Sequence, residues 1–161
     1  MRHGYLVHAW GEFTRRGDVA SACKPVFTHF LFRALADGKI PSIDEPVARW
    51  EPQLADLNPQ LGFKDREITW KHLATQTSAY GLVERPGTAF AYNDWQIALF
   101  ADLLFTGVYA TPWNEVDPRV LSAFLTDRIH CEDAPSFTVF AGGNQPGRLA
   151  ISPRDFARFG L

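Results

Sequence analysis

Apolar residues fall at helical spacing over the stretch that begins at Ser21. Val26, Phe27, Phe30, Leu31, Ala34 and Leu35 recur three and four residues apart, and Gly38 follows as a stop. The spacing predicts a helix from about Ser21 to Asp37. Pro25 suits its first turn, where a missing N–H donor leaves no intrahelical bond unmade. Before it, Tyr5 to Phe13 mixes aromatic and β-branched residues with partial alternation, and reads as a strand or strand pair beginning a sheet. The four prolines between Lys39 and Phe63 leave room only for short helical turns near Val47 to Trp50 and Leu54 to Leu57. Thr69 opens a short helix. After the Pro86-Gly87 turn, Asp94 is positioned as a helix N-cap, and apolar spacing predicts a buried helix from Trp95 to Phe105. Another is expected from Asp117, with Pro118 in its first turn, to about Ile129, and a last one from Ser152-Pro153 onward. The cluster of Gly142, Gly143 and Gly147 lacks a phosphate-binding pattern and reads as a turn.

Composition narrows the class. A chain of 161 residues is of single-domain length and can bury roughly two thirds of its unfolded surface without disulfide staples. With 46% hydrophobic and 21% charged residues it is globular, and 14% aromatic residues point to large buried side chains or an aromatic cleft. The net charge of -2, without a basic cluster, argues against nucleic acid. Cys23 and Cys131 are too few for a disulfide framework and are expected to be free thiols. His, Gly and Glu interrupt the N-terminal apolar residues and no apolar run reaches membrane-spanning length, so the chain is expected to be soluble and cytoplasmic as expressed. His3, His8, His29, His72 and His130 show no metal-ligand spacing and are expected to be solvated or satisfied in the core. Trp50, Trp70, Trp95 and Trp113 are expected mostly in the core, although one near a cleft could stack on a substrate.

Candidate chemistry begins with Ser21 and Lys24. A serine three residues before a lysine at a helix start puts both on one face of the first turn, within reach of each other. Such an amine works as a base only in its neutral form, which burial and the positive end of a helix dipole both favour. Those four residues alone read as structure, an N-cap serine followed by a solvated lysine.

Their surroundings add a resemblance. DVASACKPVFTHFLFRALADGKIPSIDEPV resembles the segment around the nucleophile of class C β-lactamases and related esterases and peptidases, with Ile43-Asp44-Glu45-Pro46-Val47 as the family's "L-D-x-P-V" phrase. ITWKHLATQTSAYGL is similar to its "I-T-x-x-x-L-L-x-H-T-S-G" stretch, with Gln76 for His and Ala79 for Gly. PGTAFAYNDWQIALFADLL resembles the segment bearing Tyr-x-Asn, and AGGNQPGRLAISPRDFARFGL the glycine-rich turn and following helix. The four landmarks occur in family order over nearly the whole chain.

The resemblance to the β-lactamase and penicillin-binding-protein superfamily implies an α/β (α+β) fold of the β-lactamase/transpeptidase type. This would be largely the helical region with an N-terminal strand pair, a single domain over residues 1–161. It implies Ser21 as nucleophile, Lys24 as base and Tyr92 as the phenol relaying protons, with acyl transfer from a small ester or lactam through a covalent acyl-enzyme. No metal or cofactor is called for. A phenol titrating near pH ~10 must be acidified, or share a proton with Lys24, to serve at neutral pH. The Ser21 backbone amide would form half of an oxyanion hole.

Two departures qualify this picture. The chain reads Tyr92-Asn93-Asp94, so either Asp94 replaces the family's amide, as a substrate-binding group, or Asn93 is displaced by one residue. A carboxylate there favours the ammonium form of Lys24, and Asp94 serves equally as a helix N-cap. The family's third motif, Lys-Thr-Gly or His-x-Gly on a later strand, has no match. The chain is therefore expected to lack the C-terminal sheet strands and to be an incomplete domain, and loss of one oxyanion donor costs about a hundredfold in rate. The rival expectation is an inactive relative acting as a binding or self-associating module, a homo-oligomer that covers an exposed sheet edge.

Overall fold

The Val26 to Leu35 stripe folds as its spacing requires. In the computed structural model, which describes residues 2–140 and 145–161, a 3₁₀ turn at Ala20–Cys23 leads into helix α1, Lys24–Ala36. Pro25 occupies the first turn, and Gly38 ends the helix with φ +68°, a left-handed conformation that glycine adopts without a Cβ clash. The chain divides into two compact units, residues 24–112 and residues 1–23 with 113–161.

The unit of residues 24–112 is helical. After α1, the proline-rich stretch forms 3₁₀ turns at Val47–Arg49, Pro52–Ala55, Pro59–Leu61 and Lys64–Glu67. Helix α2, Trp70–Ala74, is capped by Thr69 as expected. Helix α3, Asp94–Asp102, continues as a π-helical segment, Leu103–Val108, so the expected Trp95 to Phe105 helix is longer at both ends. Gly107 permits this close packing, since a Cβ there would stand 3.3 Å from Trp50 Cδ1.

Phe27, Phe30, Leu31, Trp70, Leu73, Leu104 and Phe105 fill the core of this unit. Edge-on rings lock it, with centroid distances of 5.9 Å for Phe27–Phe105 and 5.5 Å for Phe30–Phe105. Each large side chain removed from water contributes about 1.5–3 kcal/mol. The Ile43 to Val47 phrase is tied to the start of α2, since Val47 N donates to the Ile68 carbonyl at 2.8 Å and Lys71 N to that of Ile43 at 2.8 Å.

The other unit is α+β. Strands β1 (Gly17–Asp18), β2 (Ser136–Phe140) and β3 (Gln145–Ile151) form an antiparallel sheet in the order β1-β3-β2. A π-helical segment, Asp117–Thr126, and helix α4, Pro153–Phe159, accompany it. Val120, Leu121, Leu125, Phe137, Leu149 and Ile151 are buried. Ser152 caps α4 by accepting from Asp155 N, and the buried Asp155 carboxylate accepts from the backbone N–H groups of Glu132 and Asp133.

Three expectations are corrected here. Tyr5 to Phe13 is not a strand. Its one ladder feature is the bridge between Arg2 and Tyr5 across a tight turn, with φ of 50° at His3 and 82° at Gly4, and Tyr5, Leu6, Val7 and Trp10 stay largely exposed. Extended backbone needs a neighbouring strand to take up its polar groups, and β1 and β2 occupy both sides of β3. Gly147 lies inside strand β3 rather than in a turn, whereas Gly142 and Gly143 fall outside the described residues. The helix at Asp117 stops at Thr126, short of Ile129, and Cys131 N donates to the Thr126 carbonyl at 2.8 Å. Both cysteines are free thiols. Among the described residues no helix is long and apolar enough to cross a membrane.

Candidate active site

Ser21 stands in the Ala20–Cys23 turn, exposed, directly after β1. The sheet holds this turn. Asp18 pairs with Ala150 on β3, Val19 N donates to the Leu149 carbonyl at 3.0 Å, and the Cys23 thiol donates to the Gly147 carbonyl at 3.3 Å. The residue before the serine is strained. Ala20 has φ +49°, a region that costs an L-residue roughly 1–2 kcal/mol, and its N–H is held by Asp18 Oδ1 at 2.7 Å. Asp18 is in turn anchored by Arg148 at 3.2 Å.

Lys24, the first residue of α1, is half-buried. Its Nζ donates to the Tyr92 hydroxyl at 2.6 Å and lies 4.5 Å from the phenol ring centroid. The amine thus meets the oxygen end of the ring. The bond joins two groups 68 residues apart in sequence.

Tyr92 lies just before α3, and its neighbours show which of Asn93 and Asp94 caps that helix. Asn93 is the N-cap of α3. Its Oδ1 accepts from Gln96 N at 3.0 Å, and its Nδ2 donates to the Ala91 carbonyl at 3.3 Å. Asp94 is therefore not the cap; it is the exposed first residue of the helix, where its carboxylate favours the positive end of the dipole. Asn93 wins because its side chain hangs from the last non-helical residue, the position from which an oxygen reaches the N3 amide.

Sequence reasoning missed the buried polar residues beneath Tyr92. Gln96, fully buried in α3, donates through Nε2 to the Ala91 carbonyl at 2.6 Å and accepts through Oε1 from Ser78 Oγ at 2.7 Å. Ala91 N donates to the Gln76 carbonyl at 3.0 Å. The only signal in the sequence is a glutamine set among the apolar residues of α3, at a position that buries like its neighbours Ile97 and Ala98. Nor did it single out the fully buried pair Lys64 and Asp65, whose Nζ to Oδ1 distance is 2.8 Å and which Asn58 and the Ala79 carbonyl complete.

The tryptophans divide. Trp70 is buried and packs edge-on to Trp50 at 5.1 Å, whereas Trp95, three residues past Tyr92, is 64% exposed. No known family model matches the chain, and no curated protein matches it significantly.

Proposed function

We propose that this protein is a serine hydrolase working by acyl transfer on a small ester or lactam, with the plan and fold of the β-lactamase and penicillin-binding-protein superfamily. The observation that carries the reading is the 2.6 Å bond from Lys24 to Tyr92. It joins two residues that the resemblance independently names as base and proton relay.

Ser21, three residues ahead of Lys24 along the chain, gives its hydroxyl proton to the amine and phenol pair as Oγ attacks the substrate carbonyl carbon. The carbonyl π electrons move to oxygen, where the Ser21 backbone N–H stabilises the developing charge. The intermediate collapses, the carbon–heteroatom bond breaks, and the leaving alkoxide or amide nitrogen takes a proton from Tyr92. An acyl ester on Ser21 remains. Water, deprotonated by the same pair, then attacks that ester and restores the serine hydroxyl. Asp94, exposed at the start of α3, supplies a polar contact to the substrate.

Labelling with a fluorophosphonate and with a fluorescent penicillin, read by mass spectrometry on the intact protein, tests this. The expected result is an adduct on Ser21, absent in Ser21→Ala and formed at least about a hundredfold more slowly in Lys24→Ala, the scale of losing a general base. A folded protein that forms no adduct with either reagent would sink the hydrolase reading and leave an inactive relative with a binding role.

A further inference from the structure

Tyr92 is half exposed, so core packing alone does not hold its phenol against the Lys24 amine. What is fixed is the peptide group before it. The Ala91 carbonyl, part of the same peptide plane as the Tyr92 nitrogen, receives Gln96 Nε2 at 2.6 Å and Asn93 Nδ2 at 3.3 Å, which occupies both of its lone pairs. The Ala91 N–H is held by the Gln76 carbonyl at 3.0 Å. Gln96 cannot swing, because Ser78 Oγ donates to its Oε1 at 2.7 Å and itself accepts from Tyr80 N at 3.2 Å. Both ends of the amide are spoken for, inside a helix whose neighbouring residues Ile97, Phe100 and Ala101 are buried and apolar.

A buried amide carries a desolvation cost of roughly 1–3 kcal/mol when left unsatisfied, and a methionine or leucine of similar volume would fill the same space without that risk. The amide adds direction, because its hydrogen bonds lock one orientation of the Ala91–Tyr92 peptide. We propose that Gln96 is a positioning residue that, through Ala91, holds the Tyr92 phenol at bonding distance from Lys24. The proposal rests on the serine hydrolase reading for its catalytic meaning, and on the hydrogen bonds alone for its structural one.

The test uses the whole chain with tyrosine labelled at the ring carbon bearing the hydroxyl. The Tyr92 carbon signal is assigned by its loss in Tyr92→Phe, and its position without the amine is taken from Lys24→Met. In Gln96→Met, folded by near-ultraviolet circular dichroism, the signal is expected to move to the Lys24→Met position, and Ser21 labelling to slow by at least about tenfold. Ser78→Ala, which frees only the far end of the amide, is expected to move the signal part of the way, and it decides the matter if Gln96→Met does not fold. A Tyr92 signal that stays at its native position in a folded variant, whatever the loss of thermal stability, overturns the positioning role. A signal that moves in a protein that never labels at Ser21 keeps the positioning role and removes the hydrolase.

Discussion

At the scale of single residues, the left-handed Ala20 is the feature most open to measurement. Its methyl group is exposed, so removing it sacrifices no buried surface. Glycine in its place escapes a conformational penalty of about 1–2 kcal/mol and gives back part of that through greater freedom of the unfolded chain, about 0.4–1 kcal/mol. Ala20→Gly is therefore expected to stabilise the protein by about 1 kcal/mol in a urea titration, with an unchanged slope. A loss of stability would show that the strain is relieved by something other than backbone freedom. Site residues at this scale were unevenly legible. Lys24 and Tyr92 stood out because they sit in phrases resembling a known pattern, whereas Asn93 and Asp94 are both good capping types one residue apart, and only backbone geometry tells them apart. Gln96 was hidden for a further reason: its partners, Ser78 and the Ala91 carbonyl, are identified by folding and not by spacing.

At the scale of elements, helices were readable and strands were not. A helix closes its hydrogen bonds within its own segment, so the local period of Val26 to Leu35 suffices to specify α1. A strand depends on a partner elsewhere. The most strand-like composition, Tyr5 to Phe13, stays irregular, while β3 forms through a stretch that contains Pro146 and Gly147. Helix α2 shows how one histidine enters such an element. Thr69 Oγ1 accepts from His72 N at 3.3 Å and His72 Nδ1 accepts from Thr69 N at 3.2 Å, a reciprocal cap that needs an unprotonated Nδ1. The Pro86-Gly87 turn closes over the ring: Gly87 has φ +82°, and a Cβ there would lie 2.9 Å from His72 Nε2. Burial, followed by the neighbouring Lys71 charge, holds the imidazole below its ordinary value of 6.5, against the opposing pull of a hydrogen bond with the Glu67 backbone and of Asp44. The folded state thus prefers neutral His72, and the unfolded chain takes up a proton first as pH falls through 6.5. Stability is fully present above that value and declines as pH drops from it to the folded one. Glu132 and Asp133 are held low by hydrogen bonds from Arg158 and Arg154, so their contributions persist to much lower pH, around and below the ordinary 4.5 and 3.8. His72→Gln keeps an acceptor for Thr69 N and cannot titrate near neutrality. Its melting temperature is expected to match the native protein at pH 8 and to fall less between pH 7 and 5.5; parallel curves would mean that another group carries the acid sensitivity.

At the scale of the whole molecule, the sheet edges and the N-terminal segment present different kinds of surface. At the start of β2's outer edge Asp117 accepts from Phe137 N at 2.9 Å and from the Ser136 hydroxyl, and β1 at the other edge is only two residues long. Apolar side chains are exposed in the N-terminal segment of the same unit. Tyr5, Leu6, Val7 and Trp10 are between 54% and 81% exposed, and Leu6, Trp10 and Phe13 face Pro153, Arg154 and Ala157 of α4 around a cavity of about 440 Å³. Exposed apolar side chains of this kind are favourable places for another apolar surface, because each one fully covered contributes about 1.5–3 kcal/mol. The isolated chain is expected to associate with itself through this segment as concentration rises, seen as a mass increase in sedimentation velocity. Leu6→Glu with Trp10→Glu is expected to return it to the monomer without lowering the melting temperature, because both side chains are already largely in water. A monomer at every concentration tested, or a variant that still associates, would place the contact elsewhere.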